Sequence, residues 1–148
     1  MVTKSLTTLI VRDLQKLKQE LELYKKEENI WKVEKDITNP AGNLCLHLVG
    51  NLNTYIGATL GNTGYIRNRD LEFSQKGVSR SELIKKTEDT IKMIEAVLPK
   101  VSDDQLKAEY PTLVLAEKTT TEYFLIHLGM HLSYHLGQVN YHRRLLDK

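Results

Sequence analysis

Apolar residues recur at threes and fours along four stretches of the chain, and turn-forming residues fill the gaps between them. The first series is Leu6, Leu9, Ile10, Leu14, Leu17, Leu21 and Tyr24, with charged residues interspersed, and it predicts a helix from Leu6 to about Glu28. Ile30 and Trp31 are expected to fold back on the core before the turn residues Asp36, Thr38, Asn39 and Pro40. Asn39-Pro40 opens the second helix, since Asn caps well and Pro suits a first turn. Leu44, His47, Leu48, Asn51, Leu52, Tyr55 and Ile56 carry that helix to about Leu60, with His47 in the middle of its inward face. Gly57, Gly61, Asn62 and Gly64 then break the pattern, and Tyr65 to Gly77 (YIRNRDLEFSQKG) has no clean period and reads as a long ordered loop. Ser79 to Glu82 fits a capping box that starts a third helix. Its buried face is Leu83, Ile84, Thr87, Ile91, Ile94 and Leu98, and Pro99 helps to stop it. Lys100 to Glu117 reads as a crossing connection with a single helical turn, and the fourth helix starts between Lys118 and Thr121 and runs to the C-terminus. Four amphipathic helices in one domain, 1–148, predict an all-α four-helix bundle; the two long connections free it from simple up-down alternation.

Four of the five histidines fall in one run, EYFLIHLGMHLSYHLGQVNYHRR, from Glu122 to Arg144. His127, His131 and His135 are four apart, so each step turns about 40° around a helix and the imidazoles form a slowly drifting column. Tyr123, Phe124, Leu128, Leu132, Val139, Leu145 and Leu146 supply an apolar stripe beside it. A lone histidine on such a face is most often a hydrogen-bonded core residue. Three in register favour a metal site, because each buried ring needs a partner for both nitrogens and a divalent ion meets half of that need. Bundles build metal sites from inward side chains on facing helices, so His47 and an i,i+4 pair of the fourth helix can complete three ligands. Both His131/His135 and His127/His131 have the required spacing, whereas His142 lies about 10 Å beyond His135 along the axis. Three protein ligands leave coordination positions open, which suits catalysis better than structure. HExxH is absent, so no glutamate is placed as the base of a zinc protease.

Charge and cysteine usage narrow the classes. Twenty-one basic and 19 acidic residues are intermixed, leaving a net charge of +2 and no stripe suited to nucleic acid. No apolar run approaches the ~20 residues that span a bilayer, and the N-terminal stretch lacks a leader pattern, so a soluble cytoplasmic protein is expected. Cys45 is the only cysteine, which excludes an internal disulfide framework and a cysteine-rich cage. It lies about 200° around the helix from His47 and reads as a packing residue. Arg67, Arg69, Asp70 and Glu72 either pin the loop by ion pairs or face the site mouth; pinning is the more economical reading. Tyr55, Tyr65 and Tyr134 read as packing groups, with Tyr134 turned toward a neighbouring helix or a second subunit.

The segments NLCLHLVGNL around His47 and HLSYHLGQV around His131 and His135, with RNRDLEF followed by SRSEL, resemble the DinB-like metal-binding bundle superfamily over nearly the whole chain. RNRDLEF resembles an uncharacterised subfamily within it. The resemblance implies an up-down-down-up bundle, often a homodimer, with one divalent ion held by His47, His131 and His135; three imidazoles with open positions suit Zn, Ni or Fe, and also Co. It selects His135 over His127, which the family pattern does not require. Gln138, and Asn43 or Asn51, are then the candidates for orienting the rings. Superfamily members include enzymes that use bacillithiol or mycothiol, so the expected activity is metal-dependent activation of a small thiol against a small electrophile, of thiol S-transferase type. The alternatives are a metal-dependent hydrolase and a non-catalytic metal-binding or assembly bundle. No residue is assigned as catalytic.

Overall fold

A computed structural model describes residues 2–148 as a helical bundle, with no strand among the described residues beyond one isolated antiparallel bridge, Glu109 to Thr120. Helix α1 is Val2–Leu23, followed by a 3₁₀ turn Glu27–Trp31. Helix α2, Ala41–Leu52, continues through a π turn Asn53–Ala58 into a last turn α3, Thr59–Gly61. Short helix α4, Arg69–Ser74, interrupts the segment expected to be a loop. Helix α5 is Arg80–Val97, α6 is Asp103–Lys107 and α7 is Thr121–Leu146.

The direction of each long helix follows from which ends meet. The Arg80 side chain at the start of α5 donates to the Tyr24 carbonyl beyond the end of α1, so these two run antiparallel. Cys45 meets Thr87, and Asn53 meets Thr90, so α2 and α5 run parallel. Glu20 of α1 binds Asn140 and Arg143 of α7, and the Asp147 carboxylate accepts from the backbone N–H of Lys25, so α1 and α7 are parallel as well. The bundle is therefore up-down-down-up.

The core follows the apolar period. Ile10, Leu14, Leu17 and Leu21 of α1 are buried, as are Leu83, Ile91 and Ile94 of α5 and Phe124, Leu128, Leu132 and Val139 of α7. Leu9, Tyr123 and Leu145, placed on inward faces by spacing alone, are exposed. Helix α2 is buried along its whole length, Ala41 to Leu52, because α4, α5, α7 and the 3₁₀ turn surround it. Trp31 folds back as expected: its Nε1–H donates to the Val78 carbonyl, and its ring lies so close to Gly42 that a Cβ there would stand 2.6 Å from the indole.

The π turn has a local cause. The Asn53 amide donates to the Val49 carbonyl at 2.8 Å and to Thr90 Oγ1 at 2.9 Å, while the Tyr110 hydroxyl donates to the Tyr55 carbonyl at 2.6 Å. Side chains that compete for helix carbonyls widen the turn. The SRSE box is half made, with Ser79 Oγ accepting from the Glu82 N–H; a reciprocal box occurs instead at Ser102 and Gln105.

Candidate metal centre

His47 leaves α2 toward α7, where His131 and His135 stand one turn apart and face back. His47 Nε2 lies 3.2 Å from His131 Nε2, and His135 Nε2 lies 3.1 Å from His131 Nε2. One donor atom from each residue falls within 4.8 Å of the others, the only such cluster of His, Cys, Asp or Glu among the described residues. His47 is buried; His131 and His135 are half-buried.

The outer ring nitrogens decide which way the lone pairs point. His47 Nδ1 is 3.0 Å from Glu72 Oε1. Burial alone would raise the Glu72 carboxyl, but hydrogen bonds from His47 and Arg67 outweigh it and hold the group below its ordinary value. An ionised carboxylate only accepts, so the hydrogen sits on His47 Nδ1. His135 Nδ1–H donates in the same way to Gln138 Oε1 at 2.7 Å. Both neighbours thus present bare Nε2 atoms to His131 Nε2. Burial, then the nearby His135, His47 and His127 rings and Arg67, pushes His131 down to about 4, so it is neutral at ordinary pH. Its Nδ1 is buried with no hydrogen-bond partner among the described residues.

This donor set fits a divalent cation. Two nitrogens each about 2.0–2.1 Å from one tetrahedral ion are about 3.3 Å apart, close to the two short separations here. A single proton shared on His131 Nε2 would serve only one neighbour, whereas a cation serves three lone pairs at once. His127 does not join: its ring stacks on Phe124 and on His131, at centroid distances of 5.9 and 6.3 Å. His142 is buried a further two turns along α7 and is outside the cluster.

The partners of the rings were only half anticipated. Gln138 orients His135 as the spacing suggested. Asn43 and Asn51 do not orient His47: Asn43 Nδ2 donates to the Glu72 and Gln75 carbonyls, and Asn51 Oδ1 has no partner among the described residues. Glu72, read as a loop-pinning charge, takes that place, and it also pins the loop, since Arg67 donates to Oε2 at 2.8 Å and to Oε1 at 3.0 Å. The Phe73 ring covers His47 at 5.0 Å between centroids. On its open side His135 borders a cleft of about 310 Å³ with Asp36 to Asn39, Tyr134, Gln138 and His142. Tyr134 is exposed on that rim, and its ring lies edge-on to His135 at 5.3 Å.

The fold and the site together define an all-α bundle with a convergent three-histidine cluster capable of holding a cation. The chain belongs to the family described as "Protein of unknown function (DUF1572)", which it matches over residues 5–148. It is similar in structure to a solved chain described as the conserved protein of locus from Enterococcus faecalis, with a TM-score of 0.74 at 13% identity, covering 99% of this chain and 97% of that one. At that identity the likeness shows the fold alone. No curated protein matches the chain.

Proposed function

We propose that this protein is a divalent-metal-dependent enzyme of the DinB-like superfamily that activates a small thiol for transfer to an electrophilic substrate. The ligands are His47, His131 and His135, and the ion is Zn, Ni or Fe. The observation that carries the reading is the convergence of three Nε2 atoms, two of them stripped of hydrogen by acceptors on the far side of the ring. A divalent ion bound there supplies the Lewis acidity that holds a small thiol as the thiolate at neutral pH. The residues of the chain do the rest. Gln138 and Glu72 fix the ring orientations, Phe73 covers the His47 side, and the part-exposed His135 leaves one side reachable from the cleft beside Tyr134. The DinB-like assignment and the preference for thiol transfer come from the sequence resemblance.

Metal analysis of untagged protein is expected to give about one ion per chain, since three protein ligands make one site. Occupancy should fall sharply in His47→Ala, His131→Ala and His135→Ala and persist in His127→Ala. A conjugation assay with bacillithiol or mycothiol and a small electrophile then tests the chemistry. Stoichiometric metal without thiol dependence favours a hydrolase if an ester or amide is cleaved, and a non-catalytic bundle if nothing is. Full occupancy in all three ligand variants would overturn the site itself.

A further inference from the structure

Glu72 is among the least exposed polar residues of the chain, at 6%, although it comes from a short helix between two loops. A carboxylate is rarely buried unless it is paired. The pair with Arg67 answers that need, because the guanidinium spans both oxygens. Two further features are not needed by a structural ion pair. Glu72 Oε1 also accepts from His47 Nδ1–H, on a different helix. The carboxylate moreover lies against the backbone of α2 at Gly50, where a Cβ would stand 2.6 Å from Glu72 Cδ and closer still to Oε2. Gly50 is within one turn of His47, so the helix is notched beside the ligand whose ring the carboxylate orients. The approach is held from the other side too, where Asn43 Nδ2 donates to the Glu72 carbonyl at 2.8 Å and Lys76 bonds both Asn43 Oδ1 and the Phe73 carbonyl.

We propose that Glu72 is the positioning residue of the three-histidine site: it keeps the His47 hydrogen on Nδ1 and aims Nε2 at His131, with Arg67 fixing the carboxylate and Gly50 admitting it. The assignment of a metal to the site rests on the function proposed above; the control of the His47 tautomer does not. Partners of this kind on a ligating histidine typically change metal affinity by about 10- to 100-fold.

Two measurements test it. Zinc affinity, read by competition with a chromophoric chelator, should fall roughly 10- to 100-fold in Glu72→Ala and roughly tenfold in the isosteric Glu72→Gln. Gly50→Ala should weaken zinc in the presence of Glu72 and have almost no added effect in the Glu72→Ala background, because the clash is with that carboxylate. Separately, long-range ¹H–¹⁵N spectra of the metal-free protein at neutral pH should show His47 carrying its hydrogen on Nδ1, and a loss of that preference in Glu72→Ala. If Glu72→Ala loses its helical circular dichroism, Glu72→Gln decides by zinc affinity, since its amide oxygen can still accept from the His47 Nδ1–H. Wild-type zinc affinity and an unchanged His47 tautomer in the Glu72 variants would overturn the proposal, as would a Gly50→Ala penalty that is the same with and without Glu72. A wild-type protein that binds no zinc would remove the metal reading, while the spectra would still decide the tautomer.

Discussion

At the scale of single residues, burial sets what the ionisable groups can do. Cys45 is fully buried among α2 and α5, with its sulfur 3.5 Å from Thr87 Oγ1, and burial pushes its thiol up to about 11. Since the thiolate is the reactive form, Cys45 should resist a thiol-modifying reagent at pH 8 in the native protein and react as one thiol per chain in denaturant. Rapid native-state labelling would contradict that placement. The histidines shift the other way. His131, pushed down to about 4, together with His135 and His142, both lowered by burial, is favoured neutral in the folded state. The unfolded chain takes up these protons near the ordinary histidine value of 6.5, so the contribution is complete above that pH and is lost as pH falls from 6.5 toward 4. The denaturant midpoint of metal-free protein should drop across that window. A flat profile would mean that the rings are more solvated than the structure shows.

At the scale of elements, the ends of the helices carry much of the architecture. The Asp147 carboxylate closes the seam between α1 and α7 by accepting from the Lys25 and Lys26 N–H groups at 2.7 and 3.3 Å and from Asn29 Nδ2 at 3.0 Å. Asp147→Ala should cost about 1–2 kcal/mol, which for a chain of this size lowers Tm by about 2–8 °C. An unchanged melting curve would show that these bonds are replaced by water at no net loss. The four long helices, and His47 opposite the i,i+4 pair, were legible because an apolar period of 3.6 and a histidine spacing are properties of local sequence. The π turn was not, since it depends on Thr90 and Tyr110, far away in the chain. Short helix α4 was hidden by the lack of period in YIRNRDLEFSQKG, and with it the reach of Glu72 to His47. One readable trace existed: Gly50 lies inside an otherwise good helical pattern, and such a glycine commonly marks a close approach.

At the scale of the whole molecule, the outer side of α7 carries Tyr123, Ile126, Met130, Tyr134, Tyr141 and Leu145, all exposed and all within about 100° of arc at 100° per residue. Leu9 of α1 borders the same side. We propose that a second copy of the chain covers this side, in line with the homodimer that the sequence resemblance implies. Sedimentation at micromolar concentration should give a dimer, and Met130→Lys should shift it toward monomer; a monomeric wild type would refute the assembly without touching the histidines. The histidine cluster also has a topological side. His47 and His131 are 84 residues apart in sequence, whereas His131 and His135 are joined by a single helical turn. A cation shared by all three would act as a cross-link, tying off most of the chain as a loop in the denatured state. A covalent link across a loop of that size is worth about 4–5 kcal/mol in the chain-entropy account, while a link within one helical turn adds little beyond what the helix already imposes. Binding and stabilisation should therefore come apart in one variant. His47→Ala keeps the i,i+4 pair and should still take up zinc weakly, yet saturating zinc should raise its Tm far less than it raises that of the wild type.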